Sequence, residues 1–337
     1  MAGLVKQLRN SSHLRWVAPA LLVDWIVVIV VNLLAQWVEL QYPYKRDPAH
    51  YLNDPSLQWP VTEEHVPAGP NSALDNYTFW LPVVVILVVG GIFKRSLHDV
   101  HHGFLVFMSS RTLMRVVVEC LKNRVRKHSL LRLACTRRLI LFPLQVGRLR
   151  PDFFSRCQWD AVAHACRGPL ELVKDGRRSF PSGHSSTSWQ AMLFLSLYLA
   201  GKNGAFAFAA PFPRSGFLQS RLLRFGLVIT PLFLGTWICV TRLEDHRHHP
   251  TDVVTGSLIG ALSALVMYAT YYPSPFIFTA PPGGHCEDEL SVMDKPRRVY
   301  GAKEADERDA WGYAEEGRVR LVEDAAEEEE EERQIRA

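Results

Sequence analysis

Residues 241–252 read Thr-Arg-Leu-Glu-Asp-His-Arg-His-His-Pro-Thr-Asp, and residues 181–184 read Pro-Ser-Gly-His. Each stretch stands beside a hydrophobic segment. Arginine donates paired hydrogen bonds to phosphate oxygens, and a neutral imidazole is a nucleophile near neutral pH. The two stretches therefore predict a membrane protein that transfers a phosphoryl group through a histidine.

The charge distribution divides the chain into two unlike parts. Residues 274–337 carry 9 Lys and Arg against 18 Asp and Glu, so the formal net charge of +4 leaves +13 on residues 1–273. The apolar residues lie in the basic part, in runs that differ from the stripe of a soluble amphipathic helix. We predict a cytosolic N-terminus (1–15), a membrane domain (16–273) and a disordered, cytosolic acidic tail (274–337).

Six segments are candidates to cross a bilayer, and they predict an all-α membrane bundle. A helix needs about 20 apolar residues to cross the hydrocarbon. The segments are 16–38, 78–93, 103–121, 186–200, 222–241 and 253–272. The second and fourth are short and the third contains Arg111 and Arg115, so these three are expected to need protein neighbours. A buried core helix is the alternative for each of them.

Basic residues predict the orientation, because Lys and Arg near helix ends favour the cytosol. They precede the first segment, follow the second and lie between the fourth and fifth, whereas the loop 39–77 is mainly acidic. Both termini are then cytosolic, and residues 181–184 and 241–252 face the lumen or the exterior. Cys157 and Cys166 share one lumenal loop, where either a disulfide or two free thiols would be tolerated.

Several side chains in these loops suit phosphate binding, which is most of the work of phosphoryl-transfer catalysis. Arg150 and Arg242 supply guanidinium groups. Pro181, Ser182 and Gly183 can turn into the fourth helix, whose first N–H groups favour an anion, and Ser182 adds a hydroxyl donor. We predict that these residues surround one phosphate.

Two histidines and a carboxylate complete the predicted catalytic set. His248 is the candidate nucleophile. Asp252 follows it by four residues, which places both on one face if the sixth helix has already begun, and so predicts that Asp252 holds the far nitrogen of His248. His184 would protonate the leaving oxygen.

A metal centre is the competing interpretation of His246, His248 and His249. No Cys or second carboxylate stands at ligand spacing around them in the sequence. Metal sites built from His normally recruit such ligands. We therefore expect no metal and no other cofactor.

These motifs resemble those of the type 2 phosphatidic acid phosphatase superfamily, which read Lys-x6-Arg-Pro, Pro-Ser-Gly-His and Ser-Arg-x5-His-x3-Asp. Arg150 and Pro151, residues 181–184, and the stretch 242–252 match at the same spacings, with Thr241 in place of Ser. Residues 147–153 and 247–249 are most similar to fungal diacylglycerol pyrophosphate and phosphatidate phosphatases.

The resemblance implies a haloperoxidase-like six-helix bundle, a phosphohistidine intermediate, no metal requirement and a site near the non-cytosolic face. It implies a phospholipid substrate, no nucleic-acid partner and an endomembrane location such as the vacuole or Golgi; the oligomeric state stays open. By the resemblance, His248 is the nucleophile, Asp252 orients it and His184 is the acid. Phosphate is held by Arg150, Ser182, Gly183 and Arg242.

The family's phosphate-binding lysine is missing from its expected position, where Pro143 stands. Lys122 falls into register with Arg150 if residues 125–145 are left out. We therefore predict that Lys122 binds phosphate. Our hypothesis is that the 21 residues from Val125 to Gln145 are a translated retained intron. Every valine codon begins with GT, Gln145 can be encoded by CAG, and the segment preserves the reading frame. A genuine loop insertion is the alternative.

Other function classes remain. The same fold and chemistry would also serve other phosphate esters, such as sphingoid-base phosphates. A catalytically impaired, lipid-binding homologue is the second alternative, since the displaced lysine bears on activity. A transporter is disfavoured because transporters more often contain internal repeats with broken helices.

Overall fold

In the part of the chain that the structure describes, six long helices follow the hydrophobic segments of the sequence. The computed structural model describes residues 19–40, 46–93, 96–122, 147–206, 219–272 and 274–276. The long helices are α1 (Pro19–Glu39), α2 (Ala73–Phe93), α3 (Leu97–Lys122), α6 (Gly183–Asn203), α7 (Arg221–Glu244) and α8 (Pro250–Tyr271), with short helices α4 (Phe153–Cys157) and α5 (Leu170–Gly176) between α3 and α6. Residues 125–145 and nearly all of the acidic tail lie outside the described residues.

Four of the long helices are apolar enough to cross a membrane, namely α1, α2, α7 and α8. Large apolar side chains cover their outer faces, and Ile26, Phe233 and Leu258 are 59%, 71% and 58% exposed. Such a belt suits contact with lipid hydrocarbon. The second segment is longer than the predicted range 78–93, because α2 begins at Ala73 and spans 21 residues.

The other two long helices, α3 and α6, occupy the polar interior of the bundle. Both bury polar side chains, and Gln190 of α6 donates to the hydroxyl of Ser110 of α3 at 2.6 Å. Arg115 of α3 bonds Asn32 and Glu39 of α1 at 2.6 and 2.8 Å, and Arg111 donates to the carbonyl of Thr78 at 3.1 Å. As expected for the third and fourth segments, protein neighbours satisfy these polar groups.

Two glycines bring α8 into backbone contact with α6. A Cβ atom added to Gly260 would lie 2.1 Å from the carbonyl oxygen of Ser186, and one added to Gly256 would lie 2.5 Å from that of Ser182. Small residues four positions apart allow membrane helices to approach this closely. The contact fixes the beginning of α6 against the first turns of α8.

We expect Gly260→Ala to destabilise the bundle, because the added methyl group cannot fit without separating α6 from α8. Overpacking of this kind costs roughly 1–3 kcal/mol. Thermal unfolding in detergent should show a lower midpoint for Gly260→Ala than for the wild type. Gly226→Ala in α7 is the matched control, since nothing lies within 4 Å of its added Cβ; equal midpoints for the two variants would contradict this packing.

A second layer, called here the cap, lies over one end of the bundle and consists of residues 46–72 and 147–182. Its core contains Leu57, Leu149, Phe153, Cys157 and Val173, and it includes a two-stranded antiparallel hairpin, β1 (Trp159–Asp160) and β2 (Ala165–Cys166). Cys157 and Cys166 form a disulfide, which selects the first of the two alternatives. The cap meets the C-terminal end of α3, the N-terminal end of α6 and the loop between α7 and α8.

Candidate active site

Lys122 and Gly183 meet where the end of α3 reaches the beginning of α6. The Lys122 Nζ atom lies 2.9 Å from the position that a Cβ of Gly183 would take, so the absence of a side chain at Gly183 lets this ammonium group approach the helix closely. Gly183 is the first residue of α6, whose N-terminal N–H groups favour an anion. Glu119 accepts a bond from Nζ at 3.3 Å. The structure thus brings Lys122 to the predicted phosphate cradle.

Ser182 precedes Gly183 and caps α6. Its side chain is fully buried, and its hydroxyl oxygen accepts bonds from the N–H and hydroxyl groups of Ser185 at 3.4 and 3.0 Å. Its N–H donates to the carbonyl of Asp252 at 3.0 Å. The hydroxyl proton of Ser182 is not used in these bonds and is free to be donated to an anion.

Arg150 enters from the cap. Asp175 accepts from its Nε through the main-chain oxygen at 3.1 Å and from a terminal nitrogen through the carboxylate at 2.8 Å. The second carboxylate oxygen of Asp175 accepts from Arg156 at 2.7 Å. This arrangement orients the Arg150 guanidinium, whose side chain is 12% exposed.

Arg242 is fully buried at the end of α7. Asp245 accepts from one of its terminal nitrogens at 2.8 Å, and Glu64 of the cap accepts from the other at 3.2 Å. Glu64 also lies 3.5 Å from Arg247 and 3.8 Å from the Nε2 atom of His184. A carboxylate therefore accepts from the Arg242 guanidinium, which was predicted to bind phosphate.

His248 lies in the loop before α8, and its side chain is hydrogen-bonded to Ser179, whereas the sequence predicted Asp252 as its partner. Its Nδ1 atom is 2.8 Å from the main-chain oxygen of Ser179. The reason for the difference is that α8 begins only at Pro250, so His248 precedes the helix and the four-residue spacing does not place it on the same face as Asp252. His249 takes that position instead: its N–H donates to Asp252 at 3.2 Å and its Nδ1 atom lies 3.2 Å from the same oxygen.

Burial and positive charge act together on His248. Burial lowers the pKa of the ring well below its ordinary value, and Arg150, His184 and Lys122 lower it further, while the bond to the Ser179 carbonyl opposes the shift. The imidazole is therefore neutral at physiological pH. A neutral ring whose Nδ1–H donates to a carbonyl has its lone pair on Nε2, available for attack.

His184 lies beside the same charges, in the first turn of α6 and before the apolar segment 186–200. Its Nε2 atom is 3.2 Å from the main-chain oxygen of Val66 in the cap. Burial lowers the pKa of His184 to about 3, and Arg242, Arg150 and Lys122 contribute to the shift. This ring is therefore neutral as well.

Metal ligation was the competing use of His246, His248 and His249. In the part of the chain that the structure describes, no group of three or more His, Cys, Asp or Glu side chains is arranged to hold a metal ion. His246 instead stacks on Trp59 of the cap, with ring centroids 3.9 Å apart.

Comparison with known proteins identifies the family. The PAP2 superfamily profile matches residues 131–275. Phospholipid phosphatase 2 of Bos taurus is 31% identical over 300 residues, which cover 84% of this chain and 91% of that protein. The chain belongs to the PAP2 superfamily. It is a phosphatase with several membrane helices.

Other relatives of this PAP2 protein come from plants and fungi. Lipid phosphate phosphatase 1 of Arabidopsis thaliana is 29% identical over 261 residues, covering 75% of this chain and 68% of that protein. Diacylglycerol pyrophosphate phosphatase 1 of Saccharomyces cerevisiae is 29% identical over 261 residues, covering 74% and 79%. No solved structure matches the chain.

Several polar residues of this PAP2 site were not among the sequence candidates, and they include Glu64, Arg148, Ser179 and Asp245. Arg148 donates to Asp252 at 3.0 Å, and the Ser179 hydroxyl donates to the other carboxylate oxygen at 2.6 Å. Ser179 stands two residues before the Pro-Ser-Gly-His stretch and Asp245 stands three after Arg242, so proximity to the motifs was a usable signal for both. Glu64 had no such signal, because it reaches the site only through the folding of the cap.

Proposed function

We propose that this PAP2 protein is a metal-independent lipid phosphate phosphatase that hydrolyses phosphatidate, diacylglycerol pyrophosphate or both through a phosphohistidine on His248. The proposal rests on one observation. Two neutral histidines lie beside Lys122, Arg150, Arg242 and the beginning of α6. Cationic donors fixed in a largely buried site stabilise the charge of a transferring phosphoryl group. The names of the plant, bovine and yeast relatives support a phospholipid as the substrate.

Substrate binding exchanges one anion for another. Arg242 is fully buried, and the donor that is not used by Thr241 or Asp245 is bonded to Glu64. We propose that a bound phosphate displaces the Glu64 carboxylate from this nitrogen. The two charges of a phosphate monoester then replace the single charge of the carboxylate, which favours the exchange electrostatically.

His248 and His184 divide the chemistry. Nε2 of His248 attacks phosphorus, the bond from phosphorus to the lipid oxygen breaks, and His184 gives its proton to that oxygen. Water then attacks the phosphohistidine while His184 takes a proton from it, and breaking the nitrogen–phosphorus bond restores His248 and releases inorganic phosphate. The two half-reactions return both rings to their initial states.

His184 must carry a proton to act as the acid. Its pKa is about 3 because it is buried beside Arg242, Arg150 and Lys122. A bound phosphate dianion opposes the charge of those cations, so substrate raises the pKa of His184. Protonation of the acid is thereby coupled to binding.

The acidic limb of the pH dependence of kcat/KM should report the lowered pKa of His248, since this quantity follows the free enzyme. A lowered pKa keeps the ring neutral as the pH falls through 6.5, so the activity should fall only at a distinctly lower pH. The profile is measured in mixed micelles and corrected for the ionisation of the substrate phosphate, titrated in the same micelles. A corrected acidic limb centred near 6.5 would contradict the environment described for His248.

We place the active site on the lumenal side, with six membrane-crossing helices and both termini in the cytosol. The disulfide between Cys157 and Cys166 supports this, because such bonds persist in oxidising compartments. The acidic loop 39–77 and the basic residues at the opposite ends of the helices support the same orientation. An endomembrane such as the vacuole or Golgi is the proposed location.

The experiment that tests the function is phosphate release by the purified, detergent-solubilised protein with a chelator present. The substrates are phosphatidate, diacylglycerol pyrophosphate and a sphingoid-base phosphate. Release from either glycerolipid without divalent metal is the expected result. Activity confined to the sphingoid-base phosphate, or activity that needs metal, would contradict the proposal. Lipid binding without any turnover would favour an impaired homologue, although the position of Lys122 beside Gly183 argues against impairment.

A further inference from the structure

Ser179 is hydrogen-bonded to both His248 and Asp252, and no hydrogen bond joins those two residues in the described part of the chain. Its main-chain oxygen is 2.8 Å from Nδ1 of His248, and its hydroxyl donates to Asp252 at 2.6 Å. Ser179 is fully buried. We propose that Ser179 is a positioning residue through which Asp252 holds the nucleophile, an inference that rests on the proposed function of His248.

The anchoring of Ser179 determines where its carbonyl points. Asp252 holds this stretch of chain at two places, because its carboxylate accepts from the Ser179 hydroxyl and its main-chain oxygen accepts from the N–H of Ser182 at 3.0 Å. The N–H of Ser179 donates to the carbonyl of Arg148 at 3.2 Å, and the side chain of Arg148 in turn donates to Asp252. The carbonyl that accepts from His248 therefore belongs to a residue fixed on both sides.

This carbonyl selects the reactive form of the ring. When Nδ1–H donates to it, the lone pair of His248 is on Nε2, the nitrogen that attacks phosphorus. Positive charge then develops on the ring, and a bond from Nδ1–H to a carbonyl oxygen becomes stronger. The buried carboxylate of Asp252 acts on that charge from one residue further away. The arrangement corresponds to a carboxylate that orients a catalytic histidine, with a serine inserted between them.

Ser179→Ala tests the arrangement because it removes the hydroxyl and keeps the carbonyl. Loss of a buried hydrogen bond to a charged group should lower kcat by about 10- to 100-fold. KM should stay within about twofold, since the phosphate-binding groups are unchanged. Ser179→Thr keeps the hydroxyl and should recover most of the activity. Ser263→Ala is the matched control, because the hydroxyl of this buried residue donates to the carbonyl of Ile259 within α8.

A second variant separates positioning from general support of the fold. In an Asp252→Ala background the hydroxyl of Ser179 has lost its acceptor, so adding Ser179→Ala should change the residual kcat by no more than about twofold. The proposal would be overturned if the double variant lost kcat by the product of the two single-variant losses. It would also be overturned if Ser179→Ala had the kcat of the wild type. If size-exclusion chromatography shows that Asp252→Ala is not folded, the proposal is tested by the kcat of Ser179→Ala and by its recovery in Ser179→Thr.

The outcome can be told apart from failure of the proposed function. An active wild type and an inactive His248→Asn establish the nucleophile, and the Ser179 variants are then interpreted against them. Substantial activity in His248→Asn would refute the proposed mechanism itself. An inactive His248→Asn together with an unaffected Ser179→Ala would refute only the role of Ser179.

Discussion

Replacing His248 with asparagine should lower kcat for phosphate release by at least about 10⁴-fold, the scale seen when a catalytic nucleophile is removed. Asparagine keeps a side-chain N–H that can donate to the Ser179 carbonyl, but it has no nucleophilic ring nitrogen. The site is largely preserved, so lipid binding should remain. The measurement is phosphate release from phosphatidate in mixed micelles, together with binding of the same lipid.

His164→Asn is the matched control for His248→Asn. His164 is exposed in the turn between β1 and β2, with a backbone φ of 48°, a conformation that asparagine tolerates well. This variant should keep wild-type kcat. Residual activity above about one per cent in a folded His248→Asn protein would exclude this residue as the nucleophile.

Replacing Lys122 with methionine should lower kcat/KM by about 10²- to 10³-fold, because methionine keeps the length of the side chain but not its charge. The ammonium group lies against the first residue of α6, where it would hold a phosphate oxygen together with the helix N–H groups. Lys122→Arg should keep more activity than Lys122→Met. Lys174→Met, in α5 of the cap, is the control for loss of a lysine charge elsewhere and should lower kcat/KM much less than Lys122→Met does.

The segment 125–145 separates Lys122 from Arg150, and its origin therefore bears on the prediction for Lys122. We propose that it is a retained intron and that a protein without it keeps Lys122 at the site, since six residues would then separate Lys122 from Arg150 as in the family motif. The deletion variant should have at least wild-type activity, and Lys122→Met should impair it to the same extent. A transcript that always contains these 63 nucleotides would exclude the intron and leave a genuine insertion.

Much of the bundle could be predicted from hydrophobic runs. The predicted segments 103–121 and 186–200 fall within α3 and α6, which extend from Leu97 to Lys122 and from Gly183 to Asn203. They were too short because their terminal turns are polar and face other protein groups, so hydrophobicity alone does not mark their ends. The cap could not be predicted in this way, since its helices have only five and seven residues and depend on tertiary contacts.

The motif spacings predicted which residues lie at the site more reliably than they predicted the contacts of those residues. They predicted that Lys122, Gly183 and His248 share one site, but not the partner of His248, because α8 was assumed to begin before this residue. One helix boundary decides whether a four-residue spacing means contact. Glu64 illustrates the other limit, because its ion pair with Arg242 joins residues 178 positions apart.

The most direct test of the account is identification of the phosphorylated residue. The protein is mixed rapidly with phosphatidate labelled with ³²P, quenched in base to preserve phosphohistidine, digested and sequenced. We expect base-stable, acid-labile label on the peptide containing residues 247–252, on His248 alone. Label on any other residue, or turnover with no labelled protein at the earliest times, would contradict a phosphohistidine at His248.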